Sequence, residues 1–271
     1  MDTLRTLWQT FFDANAMREA LPDMLTTGLR NTLVLALTSS LLGTVLGLLL
    51  ATAGLARTRW LRWPARVYTD VFRGLPVAVT ILLVGVGLAP LGLALWGPNP
   101  YPLGILALGL VAAAYMGEIF RSGIQSVESG QLEASRALGF SHWQAMRLVI
   151  VPQGVRRVLP AWVNQLIALV KDSSLVYFLG LLASQRELFR IGQDYAANTG
   201  NASALVLAGL VYLAITVPLT HVVNAVDRRL REGGRGDGGD GDGHVDGSAD
   251  RSGPHGRPGP LLADTTTGAA R

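Results

Sequence analysis

The stretch GLPVAVTILLVGVGLAPLGLALWGPNPYPLGILALGLVAAAYMG, residues 74–117, runs for 44 positions without an Asp, Glu, Lys or Arg. A bilayer core about 30 Å thick is crossed by about 20 apolar residues in helix, so this run holds two crossings. Gly97, Pro98, Asn99 and Pro100 supply the turn between them, since Pro cannot continue a helix and Gly and Asn favour turns. The fold class that follows is an all-α bundle in lipid, where each backbone amide must bond within its own helix.

The rest of the chain agrees. Further uncharged runs at 32–56 and 195–226, a mean hydropathy of +0.35, and 49% apolar against 15% charged residues exclude a soluble globular fold. Measured against bilayer thickness, five spans are expected, at about 25–53, 71–91, 102–120, 158–182 and 203–226. The fourth is divided by Lys171 and Asp172 into two runs too short to cross alone, and is read as one span with a polar centre. Orientation follows from the arginines of the short loops. Twelve of them, from Arg57, Arg59, Arg62 and Arg66 through the 121–157 segment to Arg228, Arg229 and Arg231, share one side. Arg5, Arg18, Arg186 and Arg190 lie on the other, accompanied by six carboxylates. The N-terminus is therefore expected outside and the C-terminus in the cytoplasm.

Three regions result. Residues 1–24 form an external N-terminal segment without the basic start and cleavage site of a signal peptide, which makes the first span an uncleaved anchor. Residues 25–232 form the transmembrane domain. Residues 233–271 are rich in Gly and Asp, cannot bury enough apolar surface to offset ordering entropy, and are expected to be a disordered cytoplasmic tail. The net charge of +4 divides into +6 on the first two regions and −2 on the tail. The basic excess thus reports topology and gives no reason to expect nucleic acid.

Several chemistries are excluded. Cysteine is absent, and His142, His221, His244 and His255 have no metal-ligand spacing, so neither a metal nor a cofactor is expected. No G-x-S-x-G elbow supports a hydrolase.

The widest cytoplasmic segment, 121–157, contains SGQLEASRALGFSHWQAMRLVIVP at 129–152. Its first half reads as a short amphipathic helix closed by Gly139 in a left-handed cap. Ser141 with Gln144 forms a capping box that opens a second helix, expected to end at Pro152. Such a helix-turn-helix is shaped to plug a cleft on another protein.

The spacing of Glu133, Ala134, Ser135, Gly139, Val149, Val151 and Pro152 resembles the cytoplasmic E-A-A, three residues, G, nine residues, I-x-L-P signature of permease subunits of bacterial ABC importers. Ser135 stands for the second alanine, and two valines for isoleucine and leucine. The likeness extends over most of 21–230 and is closest to the polar amino-acid uptake subfamily. It is carried there by Phe72-Arg73-Gly74-Leu75-Pro76, by the segment from Ala114 to Val127, and by Leu169-Val170-Lys171-Asp172-Ser173-Ser174-Leu175. The resemblance implies a five-helix permease of the type I importer kind in the bacterial inner membrane. It also implies a second permease subunit, a pair of cytoplasmic ATPases and an extracytoplasmic solute-binding protein that delivers a polar amino acid. Glu133, Ala134, Ser135, Gly139 and Pro152 would then couple the chain to the ATPase. The tail has no counterpart in that pattern.

An independent argument concerns energy. A Walker A loop needs Gly-Lys followed by Ser or Thr, and the one lysine, Lys171, stands between Val170 and Asp172. The chain is therefore no ATPase, and hydrolysis falls to a partner.

Charged groups at membrane depth face a partner or a water-filled cavity. Lys171 and Asp172, with Ser173 and Gln165 nearby, are read either as lining of the translocation path or its gate, or as an internal ion pair that fixes packing. Arg73, Glu118 and Arg121 are read as structural ion pairs. Gly43 and Gly47 form a G-x-x-x-G in the first span. Rival readings are a permease of the same machinery for another small solute, a stand-alone channel or ion-coupled carrier, and an intramembrane enzyme.

Overall fold

The computed structural model describes residues 2–233, and every regular element among them is helical. The tail expected from 233 onward lies, apart from its first glycine, outside the described residues. Two short helices, α1 (Asp2–Phe11) and α2 (Ala14–Asp23), lead through one π turn (Met24–Gly28) into the long apolar α3 (Leu29–Leu55). Next come α4 (Arg59–Gly74), α5 (Val77–Gly87), α6 (Ala89–Trp96) and α7 (Tyr101–Gln125). The segment expected in the cytoplasm folds as α8 (Ser129–Ala137) and α9 (His142–Ala145), followed by α10 (Val151–Asp172). After a 3₁₀ stretch (Ser173–Leu179) the chain finishes with α11 (Leu188–Thr199) and α12 (Ser203–Gly233), which runs unbroken through Pro218.

The core is the seam between α3 and α7. Ala112, Ala113, Ala114 and Met116 of α7 are fully buried. A Cβ placed on Gly43 would stand 2.5 Å from the Ala112 Cβ, and one on Gly47 would stand 2.9 Å from the Gly117 amide nitrogen. The G-x-x-x-G pair therefore marks the position of closest helix approach, where only hydrogen side chains leave room for the facing backbone. Leu35, Ile81, Leu108, Leu169 and Val176 extend this core into α5, α10 and the 3₁₀ stretch.

Two expectations are corrected. The second span is not one helix: α4 and α5 meet at an angle of 108°. Pro76 causes the break, because its ring disfavours helical geometry at the preceding residue, and Leu75 is extended at φ −86°, ψ 140°. The helix expected to stop at Pro152 does not stop. A π turn (Met146–Ile150) carries α9 directly into α10, and the Val151 amide reaches back five residues to the Met146 carbonyl. Pro152 then sits in the first turn of α10, where a missing amide is tolerated. The helix that holds the fourth expected span therefore starts before 158, and its α-helical part ends at Asp172. Lys171 and Asp172 are the last two residues of this 22-residue helix, which runs on as the 3₁₀ stretch.

Among the described residues, three helical segments, Thr3–Leu55, Tyr101–Gln125 and Ser203–Arg228, are individually long and apolar enough to cross a membrane, and the α4–α5 pair qualifies jointly. At about 33 Å, α10 has the length to cross, but it carries Arg156, Arg157, Lys171 and Asp172.

Candidate coupling surface and translocation path

The α8–α9 corner is built by local chemistry. Phe140 N–H donates to the Ser135 carbonyl (3.2 Å) and Gly139 N–H to the Arg136 carbonyl (3.1 Å), the paired bonds of a Schellman cap. That cap needs a left-handed residue, and Gly139 has φ +89°. Ser141 Oγ accepts from Gln144 N–H (3.2 Å) while Gln144 Oε1 accepts from Ser141 N–H (2.8 Å), so α9 starts with a complete capping box. Ser135 is buried, and its hydroxyl donates to the Gln131 carbonyl (2.7 Å).

What this corner presents is apolar. Leu138 is 80% and Trp143 73% exposed, with Phe140 and Leu148 also uncovered and Glu133 and Ala134 exposed beside them. Large apolar side chains held out by a capped corner make an exposed apolar patch. Pro152, in the first turn of α10, is exposed as well.

The expected path residues separate. Lys171 is exposed and lines a cavity of about 480 Å³ together with Ser174, Phe189, Leu205 and Tyr212. Asp172 is half-buried and is not among the walls of that cavity. The two form no ion pair with each other, since successive helical side chains point about 100° apart. Ser173 is buried, its hydroxyl bonded to the Val170 carbonyl (2.7 Å), and Ser174 does the same to Lys171 (2.7 Å). These bonds satisfy carbonyls at the point where α-helix turns to 3₁₀. Gln165 is half-buried a turn and a half earlier.

Of the three residues read as ion-paired, Glu118 and Arg121 are joined by a bidentate pair, and Arg121 also donates to Gln125 Oε1 (2.7 Å). Arg73 instead lies over the Tyr115 ring, 5.5 Å from its centre.

The sequence reading passed over Glu187. It is fully buried between the 3₁₀ stretch and α11. As N-cap of α11 it accepts from Phe189 N–H (2.6 Å) and Arg190 N–H (2.7 Å), and Tyr212 of α12 donates its hydroxyl (3.1 Å). Burial pushes its carboxyl up to about 7, against the opposing pull of those donors. Its signal in the sequence is an acidic residue directly before an amphipathic stretch, but nothing local reveals that it is buried.

With this geometry in view, the likeness to known proteins is specific. Residues 43–232 match the family described as binding-protein-dependent transport system inner membrane component. The chain belongs to that family. As a permease it is 35% identical over 205 residues to the arginine transport system permease protein ArtQ of Bacillus subtilis, covering 75% of this chain and 91% of that one. It is 35% identical over 224 residues to the glutamate/aspartate import permease protein GltK of Escherichia coli, with 80% and 98% covered. Among solved structures, that of an amino acid ABC transporter with histidines superimposes with a TM-score of 0.70 at 31% identity, covering 79% of this permease and 96% of that chain. Inward-facing structures of the MetNI methionine ABC transporter share the fold, with a TM-score of 0.65 at 21% identity.

Proposed function

We propose that this permease is the transmembrane subunit of an ATP-driven importer for polar amino acids in the bacterial inner membrane. It has five spans, its N-terminus outside and its C-terminus inside. It works beside a second permease subunit, takes cargo from an external binding protein and draws energy from a cytoplasmic ATPase dimer. The observation that supports this reading best is the capped corner at Gly139, which holds Leu138, Phe140 and Trp143 exposed beside Glu133. Relatives named for arginine and for glutamate and aspartate support the cargo class.

In this reading the corner docks in the ATPase, with Glu133, Ala134, Ser135 and Gly139 forming the plug. Because α9 passes through the π turn into α10 without a break, movement of the plug tilts α10 as a lever whose far end is Lys171. Closure of the ATPases then biases the permease between inward- and outward-open states. Lys171 lines the path through its cavity, while Asp172, Ser173 and Gln165 shape the helix end and the wall behind it.

The test is reconstitution with the partner ATPase and binding protein. Glu133→Lys is expected to abolish ATPase co-purification and uptake while the permease still folds. A permease that never associates with an ATPase, or uptake unchanged by Glu133→Lys, overturns the importer reading. Titration of the binding protein with acidic, amide and basic amino acids identifies the cargo; failure to bind any of them moves the protein to the importer for another small solute.

A further inference from the structure

Helix α4 divides its surface into three faces. At about 100° per residue, Arg59, Arg62, Arg66 and Arg73 fall within an arc of about 60°. Trp60, Trp63, Val67 and Val71 occupy a neighbouring arc of about 80°. The third face, which holds buried Ala65, is packed inward, and Tyr68 pins it by donating its hydroxyl to the Leu110 carbonyl (2.8 Å). Trp60 is 88% and Trp63 70% exposed. Among the described residues, Arg59, Arg62 and Arg66 enter no ion pair, and Asp70 is the one carboxylate of α4.

The two sides of the Ala65 contact also differ as surfaces. On one side lies an apolar groove of about 490 Å³, walled by Leu46, Leu49, Trp60, Leu61, Pro64 and Tyr68. On the other lies a cavity of about 280 Å³ walled by Arg66, Asp70, Arg73, Glu118 and Arg121. The groove reaches toward the middle of α7, at Leu110, and the polar cavity toward its cytoplasmic end, at Arg121. In the proposed topology this turns the apolar side of α4 to the bilayer interior and the basic side to the cytoplasm.

We propose that α4 lies in the inner-leaflet interface and binds anionic phospholipid. An acyl chain occupies the groove beneath Trp60 and Leu61, and the phosphate is held by Arg59, Arg62 and Arg66. Amphipathic helices with indoles on one face and arginines on the other seat at this depth, and anionic headgroups draw them there. A protein partner fits less well, because interface cores are depleted of charge and this face sets its arginines directly against its indoles. The proposal rests on the cytoplasmic placement of the α3–α4 connection in the proposed topology. It requires no ATPase and no cargo.

The test uses the full chain in nanodiscs made with acyl-brominated phosphatidylglycerol or phosphatidylcholine, reading tryptophan quenching. Quenching is expected to be stronger with the phosphatidylglycerol, and the difference is expected to vanish in the Trp60→Phe, Trp63→Phe double variant. Replacement of Arg62 or Arg66 by Gln is expected to weaken the preference for phosphatidylglycerol about fivefold each in mixed discs. Equal quenching by the two lipids overturns recognition of the anionic headgroup. Quenching unaffected by the double Trp variant shows that protein, such as a second copy of the chain, covers this face, and also overturns the proposal. The fold is checked by an unchanged melting temperature of each variant. Since quenching needs neither ATP nor a binding protein, a failed importer test leaves this result standing, and the reverse holds equally.

Discussion

The two ends of this bundle handle charge differently. At the end read as external, several charges close on one another, while Arg5 and Arg18 enter no ion pair among the described residues. Arg186 pairs with Asp23 (2.8 Å), Arg190 with Asp194 (2.8 Å), and Glu187 is buried beneath Tyr212. The N-terminal helices are stitched to the α11–α12 turn by the Asp13 amide on Ser203 Oγ (2.9 Å) and by Asn201 on the Asp13 carboxylate (3.3 Å). At the end read as cytoplasmic, Trp60, Trp63, Leu138 and Trp143 stand exposed, and Arg59, Arg62 and Arg66 lack ion-pair partners among the described residues. The difference is one of degree, since Trp8 is 65% exposed at the first end, and it sorts the substitutions worth making.

The largest effect is expected at the open end. Gly139→Val places a β-branched residue at φ +89°, which disfavours the Schellman cap and redirects the plug. Reconstituted uptake should fall to background, while the melting temperature in detergent changes little because nothing packs around Gly139. A large loss of stability instead would show that the corner belongs to the core rather than to a docking surface.

At the closed end, Glu187 gives a pH dependence. Its carboxyl titrates at about 7 in the folded chain against an ordinary 4.5, so the folded state holds the proton longer than the unfolded state. Its contribution is complete below pH 4.5 and is lost as pH rises through 7, a difference of about 3 kcal/mol at one-pK-unit steps of about 1.4 kcal/mol. Glu187→Gln keeps the shape and removes the titration. Unfolding in detergent between pH 5 and 8 should therefore be flatter for the variant, and parallel curves would refute the assignment.

Between the ends, Gly43→Val thrusts methyl groups into Ala112 and should cost about 2 kcal/mol through overpacking, read as a lower melting temperature. The smallest effect is expected at Arg186→Ala. Its pair with Asp23 is about one-third exposed, and such bridges are worth about 0–1 kcal/mol after screening by solvent. A larger loss there would mean that the outer cap acts as one cooperative network.

Much of this was legible in one dimension. The capping box at Ser141 and Gln144 and the left-handed Gly139 are local chemistry, and their partners lie within five residues. The turn at 97–100 is local in the same way. The course of α10 was not legible, because whether Pro152 ends a helix or opens one depends on the π turn before it. The fate of Lys171 and Asp172 followed from that. Gly43 and Gly47 looked like one small-residue pattern among many in a glycine-rich membrane chain, and only the facing Ala112 and Gly117 distinguish them.

The sequence by itself determined that the chain is an all-helical membrane protein, that its long uncharged runs are apolar helices, and that a capped corner forms at Gly139. Those properties arise from hydropathy, charge placement and turns, all of which act between neighbours along the chain. Only the tertiary structure decided that Glu187 is buried under Tyr212, that Lys171 faces a cavity which Asp172 does not, and that α4 lies across α3 and α7 with its indoles outward. Each of these depends on a residue far away in sequence arriving at the same place, and burial, unlike hydropathy, is a property of that encounter.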